Sequence, residues 1–248
     1  KLLVCATSAG FAAALGAPIG GSLFGIELLG AGHMTGEILA PTFIAGLTAY
    51  YMASALGAGH AFRSMVDVTS AGVGSIALVA LEGALLGLCA LFLIRAIPYI
   101  ESVARRVRLY ESIRAGAAGL IMVGLVLLTS PQYCGPGTDA IATAIQGDLF
   151  RLRDVLLKTL FVLMTLALGG TGGVIVPLMV IGATAGGLFG HVAGVDASFA
   201  AAAGMMALLS GASKAPVATS VLAAEFFGSQ SALYIWIACA TAFLFSGR

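Results

Sequence analysis

Ala17-Pro18-Ile19-Gly20-Gly21-Ser22-Leu23-Phe24-Gly25-Ile26-Glu27 returns later in the chain as Ala215-Pro216-Val217-Ala218-Thr219-Ser220-Val221-Leu222-Ala223-Ala224-Glu225. The offset is constant: 215 − 17 and 225 − 27 both give 198. In each copy Pro follows Ala, Ser stands four residues after the Pro, and Glu nine after it. Pro suits the first turn of a helix, where its missing N–H costs little. A Glu that closes an apolar helix sits near an interface, where it stays hydrated or paired. Ala/Gly-rich text produces some similarity by chance, but the fixed Pro, Ser and Glu positions point to duplication. Two such units at a long interval predict a duplicated transporter half, with parallel and inverted arrangements both open at this stage.

The surrounding composition names the solvent. Of 248 residues, 60% are hydrophobic and 9% charged, against about 25% charged in an ordinary soluble domain. The mean hydropathy is +1.06, too high for one buried core and suited to a bilayer. The expected fold class is therefore an all-α, polytopic integral membrane protein. A net charge of +1 gives no field for nucleic acid. Cys5, Cys89, Cys134 and Cys239 are scattered and read as small apolar residues. His33, His60 and His191 lack zinc spacing, so neither a metal nor a cofactor is expected.

Apolar runs cover Leu2–Leu29, Ile38–Leu56, Gly74–Ile97, Ala115–Leu128, Val155–Leu168, Val174–Val195, Ala197–Leu209, Ala215–Phe227 and Ala232–Phe245. Several fall short of the roughly 20 residues that cross a bilayer, and many of the 34 Gly lie inside them. Small residues let helices approach closely in lipid. Short, broken helices are tolerated at membrane depth only where protein or water surrounds the freed backbone, the pattern of a transporter or channel. Arg95, Arg105, Arg106, Arg108 and Arg114 form one basic, polar stretch. The positive-inside rule places it in the cytoplasm and the polar loop Ser130–Asp154 on the opposite side.

Leu168-Gly169-Gly170-Thr171-Gly172-Gly173-Val174-Ile175-Val176-Pro177 separates two apolar runs. It holds no acid, base or nucleophile. What it offers is backbone: glycines leave N–H groups uncovered, and a helix from Val174 onward would aim its positive end at whatever precedes it. A desolvated anion suits such donors, and neutral donors release it again. A flexible interhelical loop accounts for the same run equally well. The Gly-Lys-Ser/Thr ending of a nucleotide loop is absent.

Gly173-Val174-Ile175-Val176-Pro177 resembles the G-x-F-x-P element of the CLC family of chloride channels and proton/chloride antiporters. Gly16-Ala17-Pro18 through Glu27 resembles its G-A-P…L-F-x-x-E helix. Gly204-Met205-Met206-Ala207-Leu208-Leu209, with Lys214-Ala215-Pro216 and Glu225, resembles its late G-M-x-A-L-L…R-A-P…E segment. The resemblance implies an inverted repeat of tilted, unequal helices, with the end of the first repeat at 1–66 and most of the second at 67–248. It implies chloride or small-anion transport, a homodimer in lipid, and a multi-pass protein of the plasma or inner membrane. It implies anion donors at the Val174 and Ile175 N–H groups, with Gly172, Gly173 and Pro177 shaping the loop. It also implies a dimer interface from Gly20, Gly21, Leu23, Phe24, Ala218, Val221 and Leu222. The family's G-S-G-x-P and G-[RK]-E-G-P segments and its anion-reaching Tyr are not in this sequence, and the chain reads as part of a longer protein.

Within the match, Ile175 stands where the family has Phe, and Leu28 stands where proton-coupled members often carry a second acid. Movement of chloride, uncoupled or weakly coupled, is therefore the expected function, with proton/chloride antiport the alternative. Glu27 and Glu82 are the acids on hand for a proton relay. An intramembrane carboxylate such as Glu82 is a functional candidate by default, although a tilted or paired helix also accommodates one. Ser213-Lys214 invites an intramembrane hydrolase reading, but adjacent helical residues point apart and no oxyanion partner is evident, so no enzyme is expected.

Overall fold

A computed structural model describes residues 1–30, 36–57, 76–106, 111–167 and 173–247. His33, His60, Arg108, the 66/67 repeat boundary and Gly169 to Gly172 lie outside the described residues. Within them the chain is helical, with no strand.

Each break between helices has a local cause. The first apolar run splits into α1 (Leu2–Leu15) and α2 (Pro18–Gly30), because Gly16 takes the left-handed conformation (φ 72°) and Pro18 opens the next helix. α3 spans Gly36–Ala55. α4 (Ile76–Arg106) runs through Pro98 and carries Arg95, Arg105 and Arg106, so much of the expected basic loop is helix. Arg114 lies on α5 (Glu111–Leu128). A 3₁₀ turn, Pro131–Tyr133, leads to α6 (Thr138–Ile145), inside a stretch expected to be loop. α6 forms because Ile141, Ala144 and Ile145 share one buried side, a stripe too short to register as an apolar run.

α7 (Leu152–Ala167) and α8 (Ile175–Ala193) flank the glycine-rich element. α9 (Ala197–Ser213) starts on Asp196, whose carboxylate accepts from the Ser198 and Phe199 N–H groups at 2.8 and 3.2 Å. It ends on Lys214, a non-glycine at φ 57°. That side chain crosses to the end of α11, where its ammonium donates to the Ser246 oxygens and to the Gly247 carbonyl. α10 (Pro216–Phe227) and α11 (Ser229–Phe245) complete the described chain.

α8 and α9 pack most extensively, then α1 on α3 and α4 on α11. Gly182 and Gly204 allow the first of these. A Cβ on either would lie 2.5 Å from the other's carbonyl oxygen, so only glycines let the backbones approach this far. α9 is the buried centre, with Phe199 through Gly211 all inside. The helices α1–α3 pack together and meet the later ones chiefly through α2 against α10.

α3, α4 and α8 contain apolar stretches long enough to cross a bilayer: Glu37–Ala55, Ile76–Val103 and Ile175–Ala193. Among the described residues, six further apolar helices are shorter. Side chains such as Leu120, Leu127 and Leu128 are at least 75% exposed, which suits contact with lipid and not water.

Candidate functional site

The two Ala-Pro…Glu segments meet as α2 and α10. Glu225 at the end of α10 accepts from the Ile19 and Gly20 N–H groups at 3.0 and 2.7 Å. Glu27 near the end of α2 accepts from Val217 and Ala218 at 3.2 and 2.7 Å. Each carboxylate caps the orphan donors of the other helix. The small residues serve the same contact: a Cβ on Gly20 would lie 2.8 Å from the Leu222 side chain. Gly20, Gly21, Phe24, Ala218 and Leu222 are buried within the single chain, and Leu23 and Val221 are half-buried. Residues expected at a subunit interface therefore also take part in contacts inside the single chain. The exposed side chains on these helices are others, Ile19, Leu28 and Val217 among them. The sequence showed the repeat but not which surface it faces.

α8 begins at Ile175, with Val174 as its N-cap and no side-chain cap among the described residues. Pro177, the third residue, has no N–H to satisfy. The N–H groups of Val174 and Ile175 therefore stand at an uncapped helix start, with its partial positive charge. Gly173 is exposed, and a Cβ there would meet nothing within 4 Å. Gly173, Val174 and Pro177 line a cavity of about 290 Å³ whose walls include Phe161, Val162 and Leu166. Gly172 lies outside the described residues.

A second cavity of about 590 Å³ adjoins the first, and the two share Tyr133, Cys134, Pro136 and Lys158. Sequence reasoning missed Lys158. Its signal was a single cation in the otherwise apolar run from Val155.

The other candidates separate. Glu82 is 2% exposed, and its Oε1 has no hydrogen-bond partner among the described residues. It faces the α8–α9 crossing, near Gly186 and Gly204, away from the start of α8. Leu28 is 37% exposed. Ser213 Oγ donates to the Leu209 carbonyl at 2.6 Å, and Lys214 is engaged with Ser246 and Gly247. The two are not brought together as a hydrolytic dyad. No group of three potential metal ligands occurs among the described residues.

Comparison with known proteins places this geometry in a family. The profile of the family described as voltage gated chloride channel matches residues 1–247. A chloride/fluoride channel protein of Pseudomonas syringae pv. tomato is 31% identical over 254 residues, covering 100% of this chain and 56% of that protein. The voltage-gated ClC-type chloride channel ClcB of Escherichia coli O17:K52:H18 is 28% identical over 256 residues, covering 98% and 61%. The chain therefore spans a little over half the length of these curated relatives. The crystal structure of a CLC-type fluoride/proton antiporter superposes with a TM-score of 0.90 at 25% identity, over 97% of this chain and 61% of that one. A eukaryotic CLC transporter superposes at 0.77 with 21% identity, over 98% and 43%, and shares the fold. The reciprocal Ala-Pro…Glu contact, the superposition on CLC structures and the match across residues 1–247 lead to one conclusion: this chain is an integral membrane protein of the voltage gated chloride channel (CLC) family.

Proposed function

We propose that the protein to which this chain belongs moves small monovalent anions, chloride or fluoride, across a membrane, and that the Val174 and Ile175 N–H groups hold the anion in passage. The observation that carries this is the uncapped start of α8 at the wall of a cavity bordered by Gly173, Val174 and Pro177. Neutral backbone donors offset an anion's dehydration without trapping it. The relatives supply the anion class, one being a chloride/fluoride channel protein and others ClC-type chloride channels. Catalysis is not part of this reading.

Leu28 cannot bind a proton, which favours uncoupled or weakly coupled movement. Coupled exchange is a second reading, favoured by the likeness to a fluoride/proton antiporter. Glu82, buried with one oxygen unpartnered, is then the better-placed carrier, because Glu27 is engaged at the start of α10. A homodimer in lipid belongs to the same proposal. Its contact would use the outer faces of α2 and α10 and the neighbouring α3 and α11, where Ile44 and Leu233 are 66% and 63% exposed. Bacterial relatives suggest the inner membrane.

The test is full-length protein in vesicles, with chloride and fluoride efflux followed by ion-selective electrode and internal pH by dye. Efflux of either halide is expected. A protein that is folded and dimeric yet passes neither would overturn the transport reading.

A further inference from the structure

The α8 donors do not account for Lys158. It is 5% exposed, on an apolar helix, and lines both cavities. Its ammonium donates to the Tyr133 carbonyl at 3.1 Å and the Gly135 carbonyl at 2.8 Å. Those bonds hold the group in place but bring no counter-charge, and they leave the third N–H of the ammonium for a ligand. The only ion pair among the described residues joins Lys1 and Glu37. Two acids line the larger cavity. Asp139 is exposed at its edge. The Asp154 carboxylate accepts from the Tyr133 hydroxyl and from the Arg151 backbone N–H. Among the described residues, Lys158 is the one cation lining either cavity. A buried charge without a counter-charge is costly and attracts an opposite charge far more strongly than an exposed one does.

We infer that Lys158 forms a second anion-binding site at the junction of the two cavities, which captures a monovalent anion and passes it to the Val174 and Ile175 N–H groups. The site favours small, singly charged anions. One free N–H beside Phe161 and Val162 offers too few donors for phosphate or sulfate, whose several oxygens each need one. The carbonyls at Tyr133 and Gly135 spread part of the charge, which weakens the hold and permits release. This inference rests on the transport reading for the anion's destination, but binding at Lys158 can be measured without transport.

The experiment uses full-length protein in vesicles, with flux recorded against chloride concentration for the unmodified protein, Lys158→Met and Lys158→Arg. Lys158→Met is expected to raise the half-saturating chloride concentration about tenfold while maximal flux stays within about twofold, and Lys158→Arg to stay near the unmodified protein. A structural pin alone would lower maximal flux and leave half-saturation unchanged, and that result overturns the inference. Should Lys158→Met fail to fold, crystals of the unmodified full-length protein grown in bromide decide. An anomalous peak in contact with Lys158 Nζ is expected, and its absence overturns the site. If the unmodified protein passes no halide, the transport reading fails, while the bromide result still stands for or against Lys158.

Discussion

Glu27 and Glu225 exchange roles across the α2–α10 contact. Each carboxylate accepts from the two residues that follow the opening proline of the other helix, Val217 and Ala218 for Glu27, Ile19 and Gly20 for Glu225. This reciprocity requires the helices to run antiparallel about a local two-fold. In an in-register parallel pair each Glu would sit nine residues from the opposite Pro, about 13.5 Å along the axis at about 1.5 Å per residue. The repeat is therefore inverted, which the sequence left open.

Removing either cap should loosen the junction of the two halves. Glu225→Ala and Glu27→Ala are each expected to lose about 1–2 kcal/mol, with Glu→Gln losing less because an acceptor remains. Melting in mild detergent, followed by intrinsic fluorescence, checks this. Unchanged melting for both Ala variants would remove the caps from the account of stability.

Gly20→Val should act at the same junction by another route. Its Cβ would press on the Leu222 side chain at 2.8 Å and on Glu225 Oε2 at 2.9 Å. Overpacking of this kind costs about 1–3 kcal/mol, and part of that cost is the lost Glu225 cap. Combined with Glu225→Ala it should therefore destabilise by less than the sum of the two. Gly10→Ala, which meets nothing within 4 Å, serves as the control and should be neutral or slightly stabilising.

Gly173→Leu should separate transport from folding. Apart from its chain neighbours, no described residue lies within 4 Å of a Cβ built at Gly173, so the protein should fold and melt within about 0.5 kcal/mol of the unmodified form. Its side chain would cover the approach to the Val174 and Ile175 donors, and halide efflux should fall at least about tenfold. Unmodified efflux would mean that the anion passes elsewhere.

Glu82→Gln keeps the shape and leaves a neutral group, so stability should change by no more than about 1 kcal/mol, whereas Glu82→Lys buries an unpaired cation and should prevent recovery of folded protein. Flux assays with internal pH recorded should show halide movement in Glu82→Gln. Where the unmodified protein also moves protons, that component should disappear in Glu82→Gln and persist in Glu27→Gln. The opposite assignment would make Glu27 the carrier.

Hydrophobicity by itself determined that this chain lives in a bilayer and is helical, because no arrangement of a soluble core accommodates so many apolar residues. The Gly-Ala-Pro, Gly-x-x-x-Pro and Ala-Pro…Glu spacings likewise determined the family, since Pro and Gly act locally on the backbone and leave a mark in the sequence. Partners distant in the chain left no such mark. Only the tertiary structure decided that Gly20 and Leu222 meet each other inside one chain, that the repeats are inverted, and that α6 forms in a stretch read as loop. Lys158 shows the physical reason most plainly. In sequence it is one cation on an apolar helix, and its meaning comes from Tyr133 and Gly135, which hold it from outside that helix, and from the cavity it shares with Gly173 and Val174. A charge acquires its function from what surrounds it in space, and burial without a counter-charge is a property of the packed fold.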